Sequence, residues 1–245
     1  MKNSLLLLIF ILMGIYASAQ VTGDYQAIQS GEWSTSSNWQ YYNGSAWVIN
    51  GYPGQNAGAG TVTISTGYSM SISTTIPNAI FNLTVESGAS IELGSGSLTV
   101  NGTTLIYGTI QDNTSLGTNT FNGLVTIMPG GFLAANTSSP FIFAGGITNN
   151  GNINLTGAGS VTFSNNQTVE NNNTMTITGA VTSNGNITFQ GTSAISFMGN
   201  YMISGATKVT NLGIVSIMGT LNGNNVASEW ENGLNSSLSY QGASM

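Results

Sequence analysis

One duplicated stretch constrains this fold more than any other feature of the sequence. Residues 147–163 read ITNNGNINLTGAGSVTF, and residues 181–197 read VTSNGNITFQGTSAISF. The two copies are 34 positions apart, and each contains two short runs in which every second residue is apolar. Such alternation is typical of a β-strand that buries one side. Self-similarity at this period indicates a repeat architecture, so we predict an all-β fold, a parallel β-solenoid or β-helix.

The same kind of pattern continues through residues 61–245, which we assign to the solenoid. Strand starts between Ile147 and Leu221 fall about every seven residues, so three strands per coil predict a coil of about 20 residues. Because 34 is not a multiple of this length, either the coil has two faces or the duplication is out of register with the winding. The run Ser236–Tyr240 still has a strand pattern, so we expect further coils beyond Met245 in a longer parent protein.

The first 19 residues have the pattern of a secretory signal peptide. Lys2 precedes an apolar run from Leu5 to Ile15, and Ala17-Ser18-Ala19 matches an A-x-A cleavage site. The apolar run is shorter than the roughly 20 residues that a membrane span needs. We therefore expect cleavage before Gln20, no membrane span in the mature chain, and an extracellular or outer cell-surface location.

The charge content excludes several classes of function. Charged residues make up 4% of the chain, and Lys208 is the one cation after Gln20, against eight carboxylates. Binding to nucleic acid requires clustered Lys and Arg, so nucleic acid is excluded as a partner. The absence of His and Cys from the sequence removes imidazole and thiol chemistry and most zinc sites. We expect no metal and no cofactor.

Two pairs of carboxylates are the remaining candidates for catalysis. Glu86 with Glu92, and Glu229 with Glu231, are close in sequence, and glycosidases use two neighbouring carboxylates. We interpret all four as solvated charges that keep a polar rod soluble, and we predict that the protein is not an enzyme.

The segment 20–60 differs from the rest because it is rich in aromatic residues. It contains Gly31-Glu32-Trp33-Ser34, then Trp39, then the turn Tyr52-Pro53-Gly54 ahead of the first alternating run. This opening resembles that of secreted Bacteroidetes surface proteins, in which a Gly-x-Trp-Ser…Trp segment leads into a parallel β-helix. It is also similar to the start of the extracellular domain named for its eight glycines. The resemblance implies a fold context and no particular activity.

Two interpretations of this aromatic segment stay open. Trp33, Trp39, Tyr41 and Trp47 either form a platform on which sugar rings stack, or fill a cap that seals the N-terminal end of the solenoid.

We predict a secreted or cell-surface, non-catalytic solenoid that acts as a structural stalk or adhesin module. One alternative is a carbohydrate-binding module or a carbohydrate-active β-helix enzyme, and another is a self-assembling extracellular fibre subunit that associates end to end. The expected partners are polysaccharide or other cell-surface components.

Overall fold

A computed structural model describes residues 20–114, 117–157 and 159–242. The predicted signal peptide, residues 1–19, lies outside the described residues. The described chain is all-β apart from one 3-10 turn at Ser36–Asn38.

The strands follow one another in short segments along the whole described chain. The N-terminal strands are β1 (Tyr25–Ala27), β2 (Gly31–Glu32), β3 (Trp39–Tyr42) and β4 (Trp47–Val48). The next are β5 (Thr61–Ile64), β6 (Ser69–Ile72), β7 (Asn82–Val85), β8 (Ser90–Leu93), β9 (Thr99–Val100), β10 (Thr104–Ile106), β11 (Thr109–Asp112), β12 (Asn119–Phe121), β13 (Val125–Ile127), β14 (Phe132–Ala135) and β15 (Phe141–Phe143). The last are β16 (Ile147–Asn149), β17 (Asn152–Leu155), β18 (Ser160–Phe163), β19 (Gln167–Asn171), β20 (Thr174–Ile177), β21 (Ala180–Ser183), β22 (Ile187–Gln190), β23 (Ala194–Phe197), β24 (Tyr201–Ile203), β25 (Lys208–Asn211), β26 (Ile214–Ile217), β27 (Leu221–Gly223), β28 (Glu229–Asn232) and β29 (Ser237–Tyr240).

These strands form three sheets that are the three faces of a parallel β-solenoid. Face A has the order β4-β3-β1-β5-β7-β10-β13-β16-β19-β22-β25-β28. Face B has the order β2-β6-β8-β11-β14-β17-β20-β23-β26-β29, and face C has the order β9-β12-β15-β18-β21-β24-β27. From β5 to β28 the chain completes about eight turns, which at a strand spacing of about 4.8 Å gives a stack about 40 Å long. The predicted fold class is confirmed.

The coil length resolves the question that the duplication raised. From β5 onward, strand partners on face A, such as Val62 with Leu83 and Val125 with Ile147, are 20 to 22 positions apart. The first copy begins on β16 of face A, whereas the second begins on β21 of face C. Five strands therefore separate the copies, which is one and two-thirds turns. The coil has three faces, and the duplication is out of register with the winding.

A column of aromatic rings runs through the interior from the third turn to the last. Its rings belong to Phe121, Phe143, Phe163, Phe189, Phe197, Tyr201 and Trp230. Contacting ring centroids lie 5.0–6.5 Å apart, within the usual range for aromatic pairs. Burial raises the pKa of Tyr201 more than its hydrogen bond with Ser183 lowers it. The column therefore joins successive turns through one continuous apolar contact.

A second column, at the end of the face A strands, consists of buried asparagines. Asn149 Nδ2 donates to Asn171 Oδ1 at 2.7 Å, and Asn171 Nδ2 lies 2.8 Å from the carbonyl oxygens of Asn173 and Ala194. Outside the core, Asn172 Nδ2 donates to Asn150 Oδ1 of the preceding turn at 3.0 Å. Runs of Asn at corners therefore hydrogen-bond between turns, because each amide group can both donate and accept.

We expect Asn171→Ala to lower the free energy of unfolding by about 2–3 kcal/mol, because buried backbone carbonyl groups would lose their donor. The neighbouring Asn173 is exposed, so Asn173→Ala should change it by no more than about 0.5 kcal/mol. Urea denaturation of both variants measures the difference. Equal losses would show that the buried amide does not stabilise the turn.

The corners between faces B and C need glycine because successive turns approach too closely for a side chain. A Cβ atom on Gly199 would lie 2.6 Å from the carbonyl oxygen of Thr178, and one on Gly219 would lie 2.7 Å from the backbone nitrogen of Asn200. Real Cβ atoms do not approach backbone below 3.0 Å. These glycines are therefore required by stacking.

The N-terminal end of the stack is covered by the aromatic segment. β1 pairs with β5 in parallel and with β3 in antiparallel orientation, and β3 continues to β4 as a hairpin. Trp33 and Trp39 pack edge to face with ring centroids 4.7 Å apart, over the first turn of the core. The first strands of faces A and B, β1 and β2, thus come from this segment, and the hairpin extends the edge of face A.

Candidate functional site: a groove on face A

A groove of about 580 Å³ lies on the outer surface of face A beside the N-terminal hairpin. It is lined by Gln20, Asp24, Tyr25, Gln26, Trp47, Thr61, Thr63, Ser65, Asn82, Thr84, Glu86, Thr103, Leu105 and Tyr107. Its volume is in the range of ligand-binding sites in proteins, about 300–1,000 Å³.

The floor of the groove is built by three successive turns of the solenoid. β5, β7 and β10 are neighbours in face A, and their outward residues stack in columns. One column is Thr63, Thr84 and Leu105, and the column at the A–B corner is Ser65, Glu86 and Tyr107. Members of each column are 21 positions apart. The regular winding therefore brings these side chains together on one surface.

Aromatic side chains stand at both ends of the groove. Trp47 and Tyr25 come from the cap, and Tyr107 follows β10, the lining strand farthest from the cap. Tyr107 is 39% exposed, and Trp47 is half-buried, with its ring 5.4 Å from that of Tyr42. Burial, together with nearby Tyr41, raises the pKa of Tyr25. Partly exposed aromatic rings at two ends suit a ligand with apolar C–H surfaces.

The charged side chains that line the groove are both carboxylates. Asp24 accepts hydrogen bonds from the backbone N–H groups of Val21 and Thr61, at 2.8 and 2.9 Å. Glu86 Oε2 accepts from the backbone N–H of Thr66 at 2.8 Å. The backbone therefore fixes both carboxylates, and hydroxyl and amide groups of Thr and Asn surround them.

Trp33 and Trp39, two of the residues predicted to form a sugar platform, are 0% exposed. The indole N–H of Trp33 donates to the Pro53 carbonyl oxygen at 2.9 Å, and that of Trp39 donates to the Trp33 carbonyl oxygen at 2.7 Å. Neither ring offers a face to solvent, because both fill the space above the first turn of the core. Trp33 and Trp39 are therefore buried as the cap interpretation expects, and a sugar platform that includes Tyr41 and Trp47 stays a prediction.

Tyr41 and Trp47 are both half-buried, and of the two only Trp47 lines the groove. The Tyr41 ring lies 5.1 Å from that of Tyr25 and so supports this lining residue. Sequence reasoning missed Tyr25, Tyr107, Asp24 and Glu86 as groove residues. The 21-residue spacing of Ser65, Glu86 and Tyr107 was the available signal.

Of the two carboxylate pairs considered for catalysis, the first is divided between two faces of the solenoid and the second has one member in an ion pair. Glu86 follows a face A strand, whereas Glu92 lies on β8 of face B. Glu229 and Glu231 lie on β28, and Glu231 forms an ion pair with Lys208 of the neighbouring strand. Within the described ranges, no group of three or more His, Cys, Asp and Glu side chains is arranged to hold a metal ion.

Fold and groove together define the class of this protein as an all-β parallel β-solenoid with an aromatic N-terminal cluster. Comparison with protein-family models, with curated proteins and with solved structures found no match. In the part of the chain that the structure describes, no helix has the length and apolarity needed to cross a membrane.

Proposed function

We propose that this chain is a secreted or cell-surface, non-catalytic solenoid that serves as a structural stalk or adhesin module. The observation that carries the proposal is the continuous stack of about eight turns, sealed at one end by buried tryptophans. A stack of this kind holds a contact surface at a fixed distance, because each turn is hydrogen-bonded to the next along its length. The Lys2-led apolar segment and the A-x-A site support export of the chain.

The groove on face A favours carbohydrate binding as the contact that this module makes. It combines partly exposed aromatic rings with carboxylate, amide and hydroxyl groups, which are the groups that pack on sugar rings and hydrogen-bond to their hydroxyls. Binding of this kind needs no catalytic group, so it is compatible with an adhesive or structural role.

Fractionation and surface labelling of cells that produce the full chain test the proposed location and role. We expect the chain at the outer surface or in the medium, cleaved before Gln20, and we expect its deletion to reduce attachment of the cells to a polysaccharide-coated support. A cytoplasmic chain, or unchanged attachment after deletion, would reject the adhesin proposal.

A further inference from the structure

We infer that the face A groove binds an uncharged oligosaccharide that lies across the solenoid turns, between Trp47 and Tyr107. The inference deepens the proposed function, because it assigns the ligand class of the contact site. It rests on the charge, the length and the aromatic ends of the groove.

The charge of the groove selects against acidic ligands. Asp24 and Glu86 are its charged lining residues, and both are carboxylates. The one Lys of the described chain, Lys208, lies on β25 and is paired with Glu231. A uronate or sulfated chain in the groove would meet two side-chain carboxylates and no cationic side chain. The α-amino group that cleavage before Gln20 creates offsets only one of these charges, so the groove stays net negative and an uncharged glycan is not repelled.

The carboxylates are suited to hold hydroxyl groups instead. Hydrogen bonds from a neutral hydroxyl to an ionised carboxylate are short and stronger than those between neutral groups. Asp24 and Glu86 are already oriented by backbone N–H groups of Val21, Thr61 and Thr66, so binding costs little side-chain entropy. A polyhydroxyl ligand fits this arrangement.

The length of the groove indicates an oligosaccharide. Apart from Gln20, and Trp47 on β4 of the hairpin, its lining residues come from or adjoin four neighbouring strands of face A, β1, β5, β7 and β10. Three strand spacings of about 4.8 Å separate the first from the last, which gives a length of about 14 Å. Trp47 at the cap end and Tyr107 at the far end therefore reach different sugar rings of one chain.

Isothermal titration of the purified full chain with short neutral and short uronate-containing oligosaccharides tests the inference. We expect binding of a neutral oligosaccharide and none of the uronates. Trp47→Ala and Tyr107→Ala should each weaken this binding by about tenfold or more, because each removes one aromatic anchor. Tyr240→Ala is the matched control, since Tyr240 is 40% exposed but lies on face B at the opposite end of the stack.

Charge reversal at Glu86 provides a second, independent outcome. Glu86→Lys makes the summed charge of the lining side chains neutral, and we expect this variant to bind uronate oligosaccharides that the unaltered protein rejects. Preference of the unaltered protein for acidic glycans, or no binding of any neutral glycan in the panel by the folded chain, would overturn the inference. Cells that display the Trp47→Ala or Tyr107→Ala variant at their surface can also be tested for attachment to the polysaccharide-coated support. If their attachment is unchanged, this inference is rejected and the proposed function still holds.

Discussion

Ile187→Asp should lower the free energy of unfolding by more than about 4 kcal/mol, one of the largest effects we expect from a single substitution. Ile187 is buried on β22, between Gln167 and Val209 of the neighbouring turns. An aspartate there would place a carboxylate in the core, and Lys208, the one described cation, is already paired with Glu231 at the surface. The midpoint of urea or thermal unfolding, followed by circular dichroism, measures the loss.

Thr188→Asp introduces the same charge one residue later and is the control. Thr188 points outward and pairs with Thr168 and Thr210 on the outer surface of face A. A surface substitution of this kind should change stability by no more than about 0.5 kcal/mol. If Thr188→Asp were the more damaging of the two, the inward and outward sides of face A would be reversed.

Ile153, the counterpart of Ile187 in the first copy of the duplicated stretch, extends this test. It is buried on β17 of face B, whereas Ile187 lies on face A. We expect Ile153→Asp to destabilise the protein as strongly as Ile187→Asp, because both positions point into the same core.

Phe163→Ala should lower the free energy of unfolding by about 3–5 kcal/mol, the range for a fully buried phenylalanine. Phe163 lies in the middle of the aromatic column, with ring centroids 6.1 Å from Phe143, 5.9 Å from Phe189 and 6.5 Å from Phe197. Removing its ring leaves a cavity between adjacent turns, and the backbone ladders on both sides limit how far the turns can move to fill it.

Phe81→Ala is the matched control, because Phe81 is 58% exposed at a corner of the second turn. We expect it to change stability by no more than about 0.5 kcal/mol. The free energy of unfolding of a solenoid is a sum of contributions from its turns and from the interfaces between them. Because Phe163→Ala weakens the middle of the stack, the two ends should then unfold in separate transitions. Single-Trp variants that retain Trp33 or Trp230 would report each end by fluorescence. Similar losses for Phe163→Ala and Phe81→Ala would contradict a continuous core.

Much of the fold could be predicted because the local signal and the packing agree. Runs such as Val62-x-Ile64 and Ile187-x-Phe189 alternate in the sequence, and the structure buries their apolar members. The number of faces could not be derived from the duplication, since it repeats by strands and not by turns.

The candidate site was less predictable. Aromatic content identified the segment 20–60, but it did not distinguish buried from groove-lining tryptophans. Trp33 and Trp39 are buried at the N-terminal end of the core, whereas Trp47 lines the groove. Whether a large ring is buried or exposed depends on which strand pairs with which, and these pairings join residues far apart in the chain. Tyr107 joins the groove only because β10 lies two strands from β5.

The sequence by itself determined that the chain forms short strands with one buried side and that it lacks imidazole and thiol chemistry. These properties follow from residue type and local spacing. Only the tertiary structure decided the three-faced winding, the burial of Trp33 and Trp39, and the meeting of Trp47, Glu86 and Tyr107 in one groove. The physical reason is that lateral register between turns, set by packing of the whole core, places side chains about 21 residues apart next to each other.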